Sequence, residues 1–298
     1  MRTVALSVVL SISAVASAQG LLDPWAAEVV EYTPGADVPI GFDDPSGALG
    51  KPTRYTGVGS FPGVVTPFNP PFLSSEVVTI GAGGSLTLRL GTPAFDAAFN
   101  PFGIDLILFH NGGYIDSAFP AGVVGGTFFD GGSIEVSQDG VEFFAVAAAA
   151  EDHYPTLGYL DLATPFTEER GDVPSDFRLP VNPGFDPDGA NWDELLAAYN
   201  GSGGGVGIDI GAAGLLEANF VRITAGDGQS PDIDALAVVR SLCEADVDGN
   251  GEVDVFDFLA FQSLFATGDG RADFDENGSL DIFDYLTFTN LFVDGCDA

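Results

Sequence analysis

Positive charge is scarce in this sequence: 9 Lys and Arg stand against 44 Asp and Glu, a formal net charge of −35 at pH 7. So few cations make no basic patch. That excludes nucleic acid as a partner, because phosphate-backbone binding rests on clustered Lys and Arg. Anionic membrane surfaces repel such a chain for the same reason. Histidine is nearly absent, and neither His110 nor His153 lies in a zinc-type His-Glu-x-x-His spacing. No Gly-x-Ser-x-Gly nucleophile elbow occurs. Past the first fifteen residues no apolar run approaches the roughly 20 residues of a membrane helix. The remaining excess of carboxylates has two readings, colloidal solubility for the scattered acids and divalent-cation binding for the clustered ones.

The N-terminus has the composition of a leader. Arg2 gives a basic start, Val4 to Val15 is apolar and small, and Ala16-Ser17-Ala18 is a small-x-small cleavage site. Residues 1–18 are therefore expected to be a signal peptide, and the mature chain to be secreted, extracellular or held at the cell surface. Export makes the two cysteines, Cys243 and Cys296, a candidate disulfide.

Residues 19–240 are rich in Gly, Pro, Phe, Val and Ala and carry short strand-like runs between turn signals. These runs are 76–80, 85–90, 104–109, 133–137, 142–146, 220–224 and 233–239. Gly81-Ala-Gly-Gly84 and Gln138-Asp-Gly140 stand where hairpin turns are expected. The spacing predicts a mainly β fold, a jelly-roll β-sandwich. One helix interrupts it, with Asn191 and Glu194 in a capping-box arrangement, Leu195, Leu196 and Tyr199 as an apolar stripe, and Gly201 at its end. The glycine run 201–207 follows a helix rather than a strand, so it reads as a flexible surface turn and not as a dinucleotide loop.

From Cys243 the pattern changes to a repeat whose copies begin 27 residues apart, at Asp246 and Asp273. The first copy offers Asp246, Asp248, Asn250, Glu252, Asp254 and Asp257; the second offers Asp273, Asp275, Asn277, Ser279, Asp281 and Asp284. Each set fits the twelve-residue loop in which oxygens at positions 1, 3, 5, 9 and 12 and a backbone carbonyl at 7 surround Ca²⁺. Gly251 and Gly278 occupy position 6, where the loop turns sharply. Position 7, Glu252 or Ser279, serves through its carbonyl, and Asp254 and Asp281 act through water. Position 12 is Asp rather than the usual Glu, and no helix precedes the first loop. Helices are expected over about 255–265 and 282–292. Within them Leu259, Leu264, Leu286 and Leu291 are expected in the core and Phe256 and Phe283 at the surface. Two loop-helix units related by a pseudo-twofold axis bring Cys243 and Cys296 together. A disulfide there closes a loop of about fifty residues and contributes on the order of 4 kcal/mol. A domain this small needs such a staple.

The duplicated Asp-x-Asp-x-Asn-Gly-x-Val/Leu-Asp-x-x-Asp followed by a short helix resembles the dockerin repeat pair, a paired F-hand. The run Asp254-Val-Phe-Asp-Phe-Leu-Ala-Phe-Gln262 is similar to dockerin-like tails on secreted proteins of planctomycete-type bacteria. The resemblance covers roughly residues 243–298 within a 241–298 domain. It implies two Ca²⁺ ions and a cohesin-like protein or surface scaffold as partner. It also implies partner contacts at loop positions 10 and 11, here Val255, Phe256, Ile282 and Phe283. These are more apolar than the Ser/Thr pairs of clostridial dockerins. In the larger region, Asp44-Pro-Ser-Gly-Ala-Leu-Gly-Lys-Pro52, Gly83–Leu90, Asp105–Asn111, Ile134–Gly140, Val221–Thr224 and Pro231–Ala235 resemble a galactose-binding-like, discoidin-like sandwich. That likeness implies a fold and, more loosely, a glycan ligand.

The expectation from sequence is thus a non-catalytic secreted protein: a sandwich joined to a docking module, with a part in polysaccharide binding or degradation. The alternative is a small polysaccharide hydrolase carried on the same tail, since carboxylate pairs are plentiful and sequence does not place them. A further Ca²⁺ site in the sandwich is expected from Asp43 or Asp44 with Asp232 or Asp234. The stretch Asp186–Asp193 reads as a polar surface loop rather than another metal site.

Overall fold

The computed structural model of the chain describes residues 23–57, 63–149, 154–248, 252–275, 277 and 279–295. The expected leader, His153, Asn250, Gly251, Gly278 and Cys296 lie outside the described residues.

Eleven strands are described. A five-stranded antiparallel sheet has the order β1 (Ala26–Thr33), β3 (Ser85–Phe95), β10 (Glu217–Thr224), β7 (Ser133–Ser137) and β8 (Phe144–Ala149). A four-stranded antiparallel sheet has the order β2 (Val78–Thr79), β11 (Asp232–Val238), β4 (Leu106–His110) and β9 (Val206–Ile208). A separate hairpin joins β5 (Gly113–Asp116) and β6 (Val124–Phe128). The two larger sheets pack face to face. Leu86, Leu88, Ile134, Val136, Val221 and Ile223 of the first meet Ile80, Leu106, Leu108, Val206, Ile208 and Leu236 from the side of the second. The region is therefore mainly β and sandwich-like.

The two sheets bury their strands differently. On β10, Ala218, Val221 and Ile223 are buried and their neighbours are partly exposed, the alternation of a half-solvated sheet. Its outer face carries Arg222 stacked on Phe143 at 3.6 Å and paired with Glu135 at 3.7 Å. Strands β4 and β11 are buried almost throughout, because a second apolar cluster of Trp25, Ile104, Ile107, Phe109, Phe177 and Ala235 covers their other face. Their unbroken apolar runs follow from burial on both sides.

The turn at Gln138–Gly140 joins β7 and β8 as expected, with Asp139 Oδ1 accepting from the backbone N–H groups of Val141 and Glu142. The Gly81–Gly84 turn does not make a hairpin. It carries the chain from β2 in one sheet to β3 in the other, and Gly84 packs so tightly that a Cβ would stand 2.4 Å from the Gly35 nitrogen.

Helix α1 (Trp192–Tyr199) has the expected capping box: Asn191 accepts from Glu194 N–H and Glu194 reaches back to Asn191 N–H. It packs Trp192, Leu195 and Tyr199 against Tyr114, Val124 and Leu157 in a third apolar cluster. The glycine run after it is not a surface turn. Residues 202–206 are buried, and Val206 opens β9. A Cβ at Gly203 would meet the Phe177 ring at 2.2 Å, and one at Gly205 would meet Ile107 Cγ2 at 2.2 Å. The glycines let the backbone touch the central sheet.

No helix follows β11 before Asp246, as expected, and the chain ends in α2 (Val255–Thr267) and α3 (Ile282–Asp294). Among the described residues no helix is long and apolar enough to cross a membrane.

Candidate metal centres

Each C-terminal helix begins with two aspartates that divide the work. Asp254 is the N-cap of α2 and accepts from Phe256 N–H at 2.7 Å. Asp257 sits in the first turn and reaches back to Asp254 N–H at 2.7 Å, completing a capping box with the shorter acid. Its other oxygen accepts from Asp248 N–H at 3.2 Å, tying the helix to the middle of the preceding loop. The second copy repeats each contact. Asp281 caps α3 at Phe283 N–H, 2.8 Å, and Asp284 accepts from Asp281 N–H at 2.8 Å and Asp275 N–H at 3.3 Å.

This arrangement gathers Asp246, Asp248 and Asp257 into one group and Asp273, Asp275 and Asp284 into another, with oxygens within 4.8 Å of one another. Asp257 and Asp284 are fully buried, while Asp248 and Asp275 face solvent. Three carboxylates held so close repel one another, and each group offers only hard oxygen donors, the donor set suited to Ca²⁺, Mg²⁺ or Mn²⁺. Both groups could therefore hold a metal ion.

The other expected ligands are placed differently. Asp254 and Asp281 direct their side chains to the helix N-termini as caps and stand outside the triads. Glu252 and Ser279 are exposed, consistent with a role through the backbone carbonyl alone. Asn277 is exposed; its Nδ2 donates to Asp275 at 2.6 Å and its Oδ1 accepts from Ser279 N–H at 2.9 Å. Asn250 lies outside the described residues.

The helices pack through Phe261 and Phe288, which stack with centroids 4.1 Å apart and are fully buried. Phe258, Phe274 and Tyr285 surround them. Leu259 and Leu286, expected from sequence in the core, are instead 53% and 51% exposed. They join Val255, Phe256, Ile282 and Phe283, each exposed by 60% or 61%. The aromatic ring pair fills the space between helices this short and leaves the leucines outside. Leu264 and Leu291 are half-buried. Cys243 is buried and is not a free thiol.

A third group went unread in the sequence. Asp96 after β3, Asp105 before β4 and Asp209 after β9 bring oxygens within the same 4.8 Å. Asp105 is buried and accepts from Asn100 Nδ2 at 2.7 Å and Ile210 N–H at 2.9 Å. Burial, with added repulsion from Asp96 and Asp209, raises its pKa to about 6 despite those bonds. Three residues on separate loops carry no local motif, so only the fold reveals them. Conversely, Asp43, Asp44, Asp232 and Asp234 are not among the groups of three or more close carboxylates in the described residues. Asp44 caps a short turn at Ser46, Asp232 accepts from Thr79 Oγ1 and from Asn111 Nδ2 at 2.9 Å, and Asp234 accepts from Thr53 N–H at 2.9 Å. Asp186 and Asp188 lie on an exposed loop.

His110 is a core residue. Its Nδ1 accepts from Gly112 N–H at 2.8 Å, and burial lowers its pKa to about 4, so the imidazole is neutral at pH 7.

The chain matches no protein-family model and no curated protein sequence. The dockerin-like reading therefore rests on the loops, their caps and the helix pair.

Proposed function

We propose that this is a secreted, non-catalytic, calcium-binding protein in which a sandwich of the galactose-binding, jelly-roll type is attached to a cohesin-like or surface partner by a C-terminal dockerin-like module. The observation that carries the reading is the repetition of one device: an Asp triad closed by a buried aspartate that also starts a helix, at Asp257 and again at Asp284. Loop positions 1, 3 and 12 of a calcium loop are the three positions brought together. Calcium is preferred to magnesium because a twelve-residue loop with carbonyl and side-chain oxygens suits a larger, less strictly octahedral ion. Binding would cancel repulsion within each triad and fix the helix starts, which makes ordering of the tail depend on metal. A Cys243–Cys296 bridge would close the module, and non-reducing peptide mapping tests it directly.

The exposed apolar sets Val255, Phe256, Leu259 and Ile282, Phe283, Leu286 supply the partner surface. They stand at equivalent places in the two repeats, so either copy can present the same face. Capture of cohesin modules by the intact chain in calcium, and its loss in chelator, is the experiment for this reading. No capture under either condition would end it.

The hydrolase alternative has one observation in its favour: Asp105, with its pKa raised to about 6, stands beside two further carboxylates. Turnover of plant or algal polysaccharide abolished by Asp105→Asn would favour it. Absence of turnover in the intact chain would leave the binding reading in place.

A further inference from the structure

Arg271 is the only Lys or Arg in residues 243–298. It stands two residues before Asp273, the first acid of the second triad, whereas the matching place before Asp246 in the first copy holds Glu244. The two copies share their caps, their triads and their stacked rings, so this exchange of an acid for a cation sets the second loop apart. The cation reaches out of the tail: the Arg271 guanidinium lies 5.1 Å over the ring of Phe95, at the end of β3 in the sandwich. That is within the roughly 6 Å over which a cation and an aromatic face attract.

Arg271 is tied to the tail on both sides. Asp269 accepts from Arg271 N–H at 3.0 Å, from Nε at 3.1 Å and from Nη2 at 2.8 Å. Asp269 N–H in turn donates to Leu264 O, in the last turn of α2, at 2.9 Å. On the other side Asp273 N–H donates to Gly270 O at 3.0 Å, and Ala272 is fully buried. The first acid of the triad, the short turn Gly270–Ala272 and the guanidinium therefore move as one piece. The chain enters the tail beside the same sandwich segment, where Leu242 N–H donates to Phe99 O at 3.0 Å. Phe99 at the entry and Phe95 at the second loop are two anchor points for one module.

We propose that the second metal loop is a clamp: filling it with calcium fixes the turn that carries Arg271, seats the guanidinium on Phe95 and locks the tail against the sandwich. This rests on the calcium reading of the triads and adds a task that only one of them performs. Charge gives the metal its leverage. Asp23 and Glu244 face the same cleft as Asp273, so like charges oppose closure of the tail on the sandwich. A divalent cation in the triad offsets that repulsion and sets the geometry of the loop. The contact leaves Ile282, Phe283 and Leu286 exposed, and Val255, Phe256 and Leu259 as well. A clamped tail thus presents both apolar faces in a fixed orientation. Linkage makes the effect reciprocal: if calcium favours docking, docking tightens calcium at the second site by the same factor.

The test is calorimetric calcium titration of the intact mature chain in single-site backgrounds. Asp257→Ala leaves the second site to be measured, and Asp284→Ala leaves the first. Phe95→Ala, a change in the sandwich, should weaken calcium about fivefold or more in the Asp257→Ala background and leave it unchanged in the Asp284→Ala background. In excess calcium, Arg271→Gln should lengthen the maximum dimension seen by small-angle scattering while two ions stay bound. Arg271→Lys, which keeps the cation, should stay compact. If urea unfolding shows that Phe95→Ala does not fold, the scattering of the two Arg271 variants decides. Phe95→Ala weakening both sites alike or neither, or a calcium-loaded Arg271→Gln chain as compact as the parent, overturns the clamp and leaves the calcium reading in place. A chain that takes up no calcium removes both.

Discussion

Phe261 and Phe288 lie face to face, their ring planes 13° apart, and occupy equivalent positions in the two copies of the repeat. The stack joins the two helices through one side chain from each copy. Each ring is fully buried, so truncation leaves a cavity that helices this short cannot close. Phe288→Ala is expected to destabilise the helical pair by about 3–5 kcal/mol, whereas Leu286→Ala on the exposed face should change it by less than about 1 kcal/mol. Denaturant unfolding followed by far-ultraviolet circular dichroism separates the two outcomes.

The aspartates at each helix start are separable by the same logic. Asp257→Ala and Asp284→Ala remove a triad oxygen and a tie between loop and helix. Each should reduce calorimetric calcium stoichiometry from two to one. Asp254→Ala removes only the N-cap, costs about 1 kcal/mol of helix stability, and should leave two sites. Equal loss of metal from all three variants would mean that the ninth loop position ligates the ion despite its capping bond.

Calcium binding and partner capture should come apart at the surface. Phe256→Asp combined with Phe283→Asp alters residues that are 61% and 60% exposed. The double variant should keep two calcium ions and its unfolding midpoint, and lose capture by cohesin-type modules at least tenfold. Undiminished capture would move the contact away from these helix faces.

How much of this was legible beforehand depends on what each residue touches. The capping box at Asn191 and Glu194 and the hairpin at Asp139 are local, and short spacing reveals them; Asp254 and Asp281, expected from sequence to act on the ion through water, turn out to be helix caps. Strands β5, β6 and β9 escaped notice because glycines such as Gly113, Gly125 and Gly207 break the alternation that marks a strand. The burial of Gly203 and Gly205 depends on Phe177 and Ile107, which are distant in sequence. The Asp96, Asp105 and Asp209 group is assembled by three loops and had no spacing to read. Leu259 and Leu286 looked like core because they are leucines in an apolar helix, but the larger rings took the interface.

Asp234 makes the sandwich sensitive to pH. Burial raises its pKa from an ordinary 3.8 to about 7, even with Thr53 donating two hydrogen bonds. A carboxyl whose folded pKa lies above its unfolded value favours folding fully at low pH, and that contribution is lost as pH rises through about 7. His110 acts with the opposite sign within the same range: its depressed pKa favours folding fully above the ordinary 6.5, and that contribution is lost as pH falls through about 4. Asp234→Asn keeps a acceptor for Thr53 N–H and can donate to Thr53 Oγ1. It should raise stability at pH 8 by on the order of a few kcal/mol and by clearly less at pH 5, where only the start of the window above 3.8 has been crossed. Urea midpoints at the two pH values check the sign.

The most direct measurement is far-ultraviolet circular dichroism with calorimetric calcium titration of the intact chain, first in excess chelator and then with Ca²⁺ or Mg²⁺ restored. Two bound calcium ions, a loss of helical signal from 255–294 in chelator, and recovery with Ca²⁺ but not with Mg²⁺ are predicted. Helices that persist unchanged in chelator, or a chain that takes up no calcium, would contradict the claim that two aspartate triads grip metal and order the tail.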